Sequence, residues 1–167
     1  MKNNSFRPLA TYLRTQLATP LGQFSFWTYL LIAVWGIGGL GIWVELIKHA
    51  RGAGNSEGIL TAIYTYFPAV AVGSSMQLII KEDEKRHVRS FASLIGSALI
   101  LIAVLQGLEL TGEYPYVWSV IGILIATFLW WVANGGDENL HDNINPADSL
   151  GDNPHKPPAG SSNGFAV

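Results

Sequence analysis

Four long blocks of apolar residues, at about 26–47, 58–80, 90–110 and 116–133, are separated by short polar stretches and followed by a polar run to the C-terminus. Each block is about 18 to 23 residues long, and a helix rising roughly 1.5 Å per residue would then cross a hydrocarbon core of roughly 30 Å. The runs are continuous, without the two-residue alternation of a membrane barrel, and backbone groups in lipid must pair within their own segment. The pattern therefore predicts an all-α polytopic membrane protein: four transmembrane helices in an antiparallel bundle, with a disordered C-terminal tail.

Ahead of the first block, Leu9, Tyr12, Leu13 and Leu17 recur at helical spacing between Pro8 and Pro20, with Lys2, Arg7 and Arg14 nearby. Residues 1–25 read as an amphipathic segment lying on the inner leaflet, its basic residues facing anionic lipid. No early apolar stretch ends at a small-residue cleavage site, so no cleaved signal peptide is expected. Trp27, Tyr29 and Trp43 mark the ends of the first block, and Tyr114, Tyr116, Trp118, Trp130 and Trp131 those of the last, as aromatic belts do. From Asn134 the chain is rich in Asn, Asp, Gly and Pro, which predicts a disordered tail over 134–167.

Small residues inside the blocks predict close helix contacts: Gly36, Gly38, Gly39 and Gly41 in the first, Ser93, Gly96, Ser97, Ala103 and Gly107 in the third, Ser119, Gly122 and Ala126 in the fourth. In the second block Pro68 removes a backbone donor, frees the Tyr64 carbonyl and predicts a kink. Ala62, Tyr66, Ala69, Gly73 and Gln77 share one face of that helix, and Tyr66 and Gln77 are expected to look into the bundle, where polar groups find partners. The second and third blocks are joined by KEDEKRHVR, residues 81–89, a charged tip that can extend the flanking helices by a turn.

Charge decides orientation. Of the ten Lys and Arg residues, Lys2, Arg7, Arg14, Lys81, Lys85, Arg86, Arg89 and Lys156 fall on one side of the four blocks, and Lys48 and Arg51 on the other. The positive-inside rule then places both termini in the cytoplasm of a multi-pass protein of the cell inner membrane. A formal charge of -2 and the lack of a basic, aromatic-interleaved stripe argue against a nucleic-acid partner.

Candidate chemistry is thin. There is no cysteine, which excludes thiolate metal sites and thiol nucleophiles, and all four histidines lie outside the apolar blocks. No hydrolase, metalloprotease or phosphate-loop motif occurs, so no enzyme, cofactor or metal site is expected. The polar residues inside or at the rim of the blocks remain as candidate pore-lining groups: Glu45, Tyr66, Gln77, Gln106 and Glu109, with Pro68 as the kink. Glu45 can also pair with Lys48 or His49 on its own helix.

The functional reading is a homo-oligomeric, channel-like protein that forms a small pore or perturbs the membrane. The alternative is a non-catalytic membrane anchor that docks a cytosolic protein partner through Lys81, Lys85, Arg86 and Arg89. In size and span number the chain is similar to the small four-span membrane proteins of bacterial phage-exclusion and other defence systems, a resemblance of architecture alone.

Overall fold

The computed structural model describes residues 6–80, 86–110, 112 and 114–142. All regular structure among them is helical: α1 (Phe6–Ala18), α2 (Phe24–Tyr29), α3 (Leu40–Ala50), α4 (Ser56–Ile80), α5 (Arg86–Gly107) and α6 (Pro115–Asn134), with 3-10 turns at Thr19–Gly22 and Glu138–Leu140. Between α2 and α3 the chain forms a π-helix, Leu30–Gly38.

Three of these helices, α4, α5 and α6, are long and apolar enough to cross a membrane. The first apolar block is not one regular span. It starts at Phe24, widens into the π-helix and breaks at Gly39 before α3 resumes. Counting it together with the preceding helical stretch, which meets it at a 95° bend, brings the candidate crossings to four. The break is where the glycine run weakens helix propensity most, and the Trp43 indole N–H crosses it to donate to the Trp35 carbonyl at 2.9 Å.

α4 is the hub, packed on α3, α5 and α6. Its bulky face, Ile59, Ile63, Phe67, Ala71 and Leu78, meets Val88, Ala92 and Leu99 of α5 and Ala126, Leu129 and Val132 of α6 in one core. Ser75 near the end of α4 donates to the Ala92 carbonyl early in α5, and Gln77 accepts from Asn134 at the end of α6. So α5 runs opposite to α4 and α6. The helix faces turned away from this core carry exposed Leu94, Leu101, Val117, Val120 and Leu124. An apolar outside over a packed inside is the distribution a lipid environment permits.

The stripe expected in the third block is split. Gly96 is buried against Ser75 and Ala103 packs on the core, whereas Ser93, Ser97 and Gly107 are exposed. The contact face of α5 is instead the 88, 92, 96, 99, 103, 106 ridge, one helical step round from 93 and 97. In α6 the expected Ser119, Gly122 and Ala126 are all buried, and Gly122 lies against the Phe67 ring. Pro68 sits inside α4, which continues through it as one helix.

α1 packs Leu9, Tyr12, Leu13 and Leu17 against the core at the α6 end. The residues that follow α6 dock there too: Gly135 and Gly136, expected to belong to the disordered tail, lie against Gln16 of α1, and Asp142 meets Gln23 and Ser25 at the start of α2. Residues 143–167, and the tip residues 81–85, lie outside the described residues.

Candidate functional site

The candidate pore residues do not converge on an internal channel. The middle of the packed helices is filled by Phe67, Leu78, Leu99 and Leu129, each no more than 1% exposed. Apart from the buried Ser74 and Ser75, the polar character of α4 is on its other side. There the small-residue stripe Ala62, Ala69 and Gly73, with Tyr66 and Gln77, borders an open groove between the first apolar block and α4, and Tyr66 also packs on the edge of the core. The reason is steric: the large side chains of α4 take the contacts with α5 and α6, leaving its small face to the glycine-rich first block.

The groove has two joined parts. One, about 430 Å³, is lined by Gly38, Gly41, Ala62, Thr65, Tyr66 and Ala69 among others. The second, about 260 Å³, shares Gly38, Ala69 and Val70 and continues to Gln77 and Trp130. Half-buried Tyr66 donates its hydroxyl to the Val34 carbonyl at 3.0 Å. Val34 lies in the last turn of the π-helix, where the Gly39 N–H goes to the Ile37 carbonyl and the remaining carbonyls lack intrahelical donors. Thr65 returns its hydroxyl to the Ala62 carbonyl, 3.0 Å, within α4. Gln77, on the exposed side of the last turns of α4, accepts from the Asn134 side-chain amide at 3.1 Å, which also donates to the Trp130 carbonyl.

The other candidates are scattered. Gln106 is buried, and its amide donates to the Pro115 carbonyl at 3.0 Å and to the Ser119 hydroxyl at 3.1 Å, while Ser119 donates to the same carbonyl at 2.9 Å. This triangle staples the end of α5 to the start of α6, and its second amide atom, Oε1, has no partner. Glu45 forms the ion pair with Lys48 that its spacing allowed, 2.6 Å, and stands beside Gly58 at the start of α4. Glu109 is exposed and sits at φ 59°, past the end of α5. Of the docking candidates, Arg86 is exposed at the start of α5, Arg89 is half-buried and engaged, and Lys81 and Lys85 lie outside the described residues. Among the described residues no group of three or more His, Asp or Glu side chains is placed to hold a metal.

Two arrangements had little or no sequence signal. Trp27, Tyr29, Trp130 and Trp131, read as belts of separate spans, form one aromatic cluster with Phe26: Phe26 lies 5.3 Å from Trp130 and 5.2 Å from Trp131, and Trp27 meets Trp131 edge-on at 5.0 Å. Asp142 caps the start of α2, a contact across more than a hundred residues that no local pattern announces. Asn134 and the Ser74–Ser75 pair could have been found as polar residues on the core side of their helices. No family model, no curated protein and no solved structure matches this chain.

Proposed function

We propose that the protein is a non-catalytic, multi-pass membrane protein whose copies assemble into a small pore or membrane-perturbing complex, with the groove along α4 at the subunit junction. One observation carries this reading: Thr65, Tyr66 and Gln77 lie along an open groove on the outer side of a subunit whose own interior is closed. Each of the three makes a hydrogen bond within the subunit, but facing lipid their remaining polar capacity and a cleft of small residues would be poorly served; facing neighbouring subunits and water, they would not. The four-crossing arrangement, with both termini cytoplasmic, belongs to the same proposal and rests on the distribution of Lys and Arg.

Flux from reconstituted vesicles tests it. Gln77→Leu and Thr65→Val should alter ion flux while the detergent-solubilised particle keeps its size, because neither side chain is part of the core. Wild-type vesicles without conductance at any voltage, from protein that is monomeric in detergent, would end the pore reading. Loss of cellular function on joint neutralisation of Lys85, Arg86 and Arg89, with vesicle flux absent, would favour the anchor that docks a cytosolic protein.

A further inference from the structure

After α6 the chain turns back across the foot of the first apolar block. Gly135 presses so closely against the Gln16 backbone of α1 that it has no room for a side chain, and Gly136 lies against the end of the Gln16 side chain. Leu140 packs on the cluster of Phe26, Leu30, Val34 and Trp130, and His141 Nε2 lies 3.1 Å from the Gly135 carbonyl. Asp142 then closes on the start of α2. Its Oδ1 accepts from the Ser25 N–H at 2.9 Å and its Oδ2 from the Phe24 N–H, while the Gln23 side chain accepts from the Asp142 N–H at 2.8 Å.

This is a reciprocal helix cap of the kind a Ser or Asp makes with residues just after it, here supplied from the opposite end of the sequence. The first turn of a helix leaves N–H groups without intrahelical partners and carries the positive end of the helix dipole, so a carboxylate there serves both needs. The helix it caps is irregular in its very next segment: the π-helix begins at Leu30 and the break at Gly39 follows. π-helical turns inside helices are rare, sit frequently at functional sites and are among the places where helices kink.

We propose that residues 135–142 are a strap that couples the C-terminal tail to the conformation of the first apolar block. With Asp142 seated, the Phe24–Gly38 stretch is held against Trp130 of α6; with the tail withdrawn, that stretch is free to shift about the π-helix and Gly39. Residues 143–167 begin at the strap's end, so whatever binds or pulls them acts directly on the cap. The proposal does not depend on the pore reading.

Protons are a poor trigger for this strap. Hydrogen bonds from Ser25, its side chain first, and from the Phe24 N–H hold the Asp142 carboxyl below the usual carboxylate range, with His141 beside it adding to the effect. The side chains of Gln23 and Phe24 are neutral, and the ionised groups on the elements it joins are Arg7 and Arg14 of α1 and Asp137 and Glu138 of the strap. A depressed carboxylate contributes its hold above the unfolded value and loses it only as pH falls through the lower folded value. Protonation of Asp142 therefore weakens this cap only on the acid side of the ordinary carboxylate range.

The absence of cysteine makes spin labelling direct. One nitroxide pair, at Thr11 and Asn139, reports the strap against α1, and a second, at Ile37 and Thr61, reports the first block against α4. Both sites of each pair are exposed. We expect single narrow distances in the otherwise unaltered protein, and broadening of both in Asp142→Ala, with Arg51→Ala at the far end changing neither. Broadening of the strap pair alone overturns the coupling, and no change in the strap pair overturns the strap itself. If Asp142→Ala fails to fold, Asp142→Asn, which keeps the shape and one acceptor oxygen, is read by the same two outcomes.

Discussion

Glu109 occupies a position that glycine usually holds. Its N–H donates to the Gln106 carbonyl and the Leu110 N–H reaches back to the Leu105 carbonyl at 2.8 Å, the paired bonds of a helix end that needs a left-handed residue between them. A side chain at φ 59° costs energy that glycine would not. We expect Glu109→Gly to stabilise the folded protein by about 0.5–1 kcal/mol, after the extra freedom of glycine in the unfolded chain is offset. A denaturation midpoint that falls would mean that the carboxylate is itself needed there. Gly122 shows the reverse dependence, since a Cβ placed there would lie 3.0 Å from the Phe67 ring. Phe67 is fully buried and cannot retreat freely, so Gly122→Ala should lower stability by about 1–3 kcal/mol. Gly107→Ala, in open space, should not lower it and serves as the comparison in the same detergent melt. Both roles were half legible in sequence. A Gly in the fourth block read as a contact and is one, but Gly107 read the same way and faces outward, because spacing alone does not fix which of two neighbouring ridges meets the core.

At the scale of elements, the first apolar block is where local and tertiary preferences diverge. Hydropathy places a span there and the chain is indeed helical, but the sequence carries no sign of a π-helix, which depends on what lies alongside. The Tyr66 hydroxyl, reaching the Val34 carbonyl from α4, is one such partner. Removing it with Tyr66→Phe leaves the ring in place and takes away only the donor, at a cost of about 0.5–1.5 kcal/mol. The effect should be local: amide exchange over residues 34–39 speeds up while that of α5 and α6 stays unchanged. Uniform exchange across all helices would show that Tyr66 supports the whole fold rather than this turn. The face of α4 that carries Tyr66 was visible as a stripe of small and polar residues, but its partners were not. Polar groups in lipid need partners, and Tyr66 and Gln77 find theirs on the first block and on Asn134, at the margin of the groove.

For the whole molecule, the two ends differ in what they gather. α1, the start of α2, the strap, the end of α4 and the start of α5 lie at one end, with Arg7, Arg14, Arg86 and Arg89. Glu45, Lys48 and the start of α4 lie at the other, as do the end of α5 with Glu109 and the start of α6. The Lys and Arg count from sequence had sorted the loops in this same way, because sorting needs only the order of crossings and not their packing. The strap and the aromatic cluster were not legible, since both join residues more than a hundred positions apart. The charge bias gives the two ends a sidedness, with the arginine-rich end expected in the cytoplasm. A single cysteine at Ser56, beside the sparsely basic end, should react with an impermeant maleimide on intact cells, and one at Asn139, exposed on the strap, only after the membrane is opened. Neither substitution removes a Lys or Arg, so the bias being tested stays intact. Labelling of Asn139→Cys but not Ser56→Cys in intact cells would invert the orientation. Labelling of both would place the two ends on one side, which an odd number of crossings between these positions forbids, and would mean that one of α4, α5 and α6 does not span.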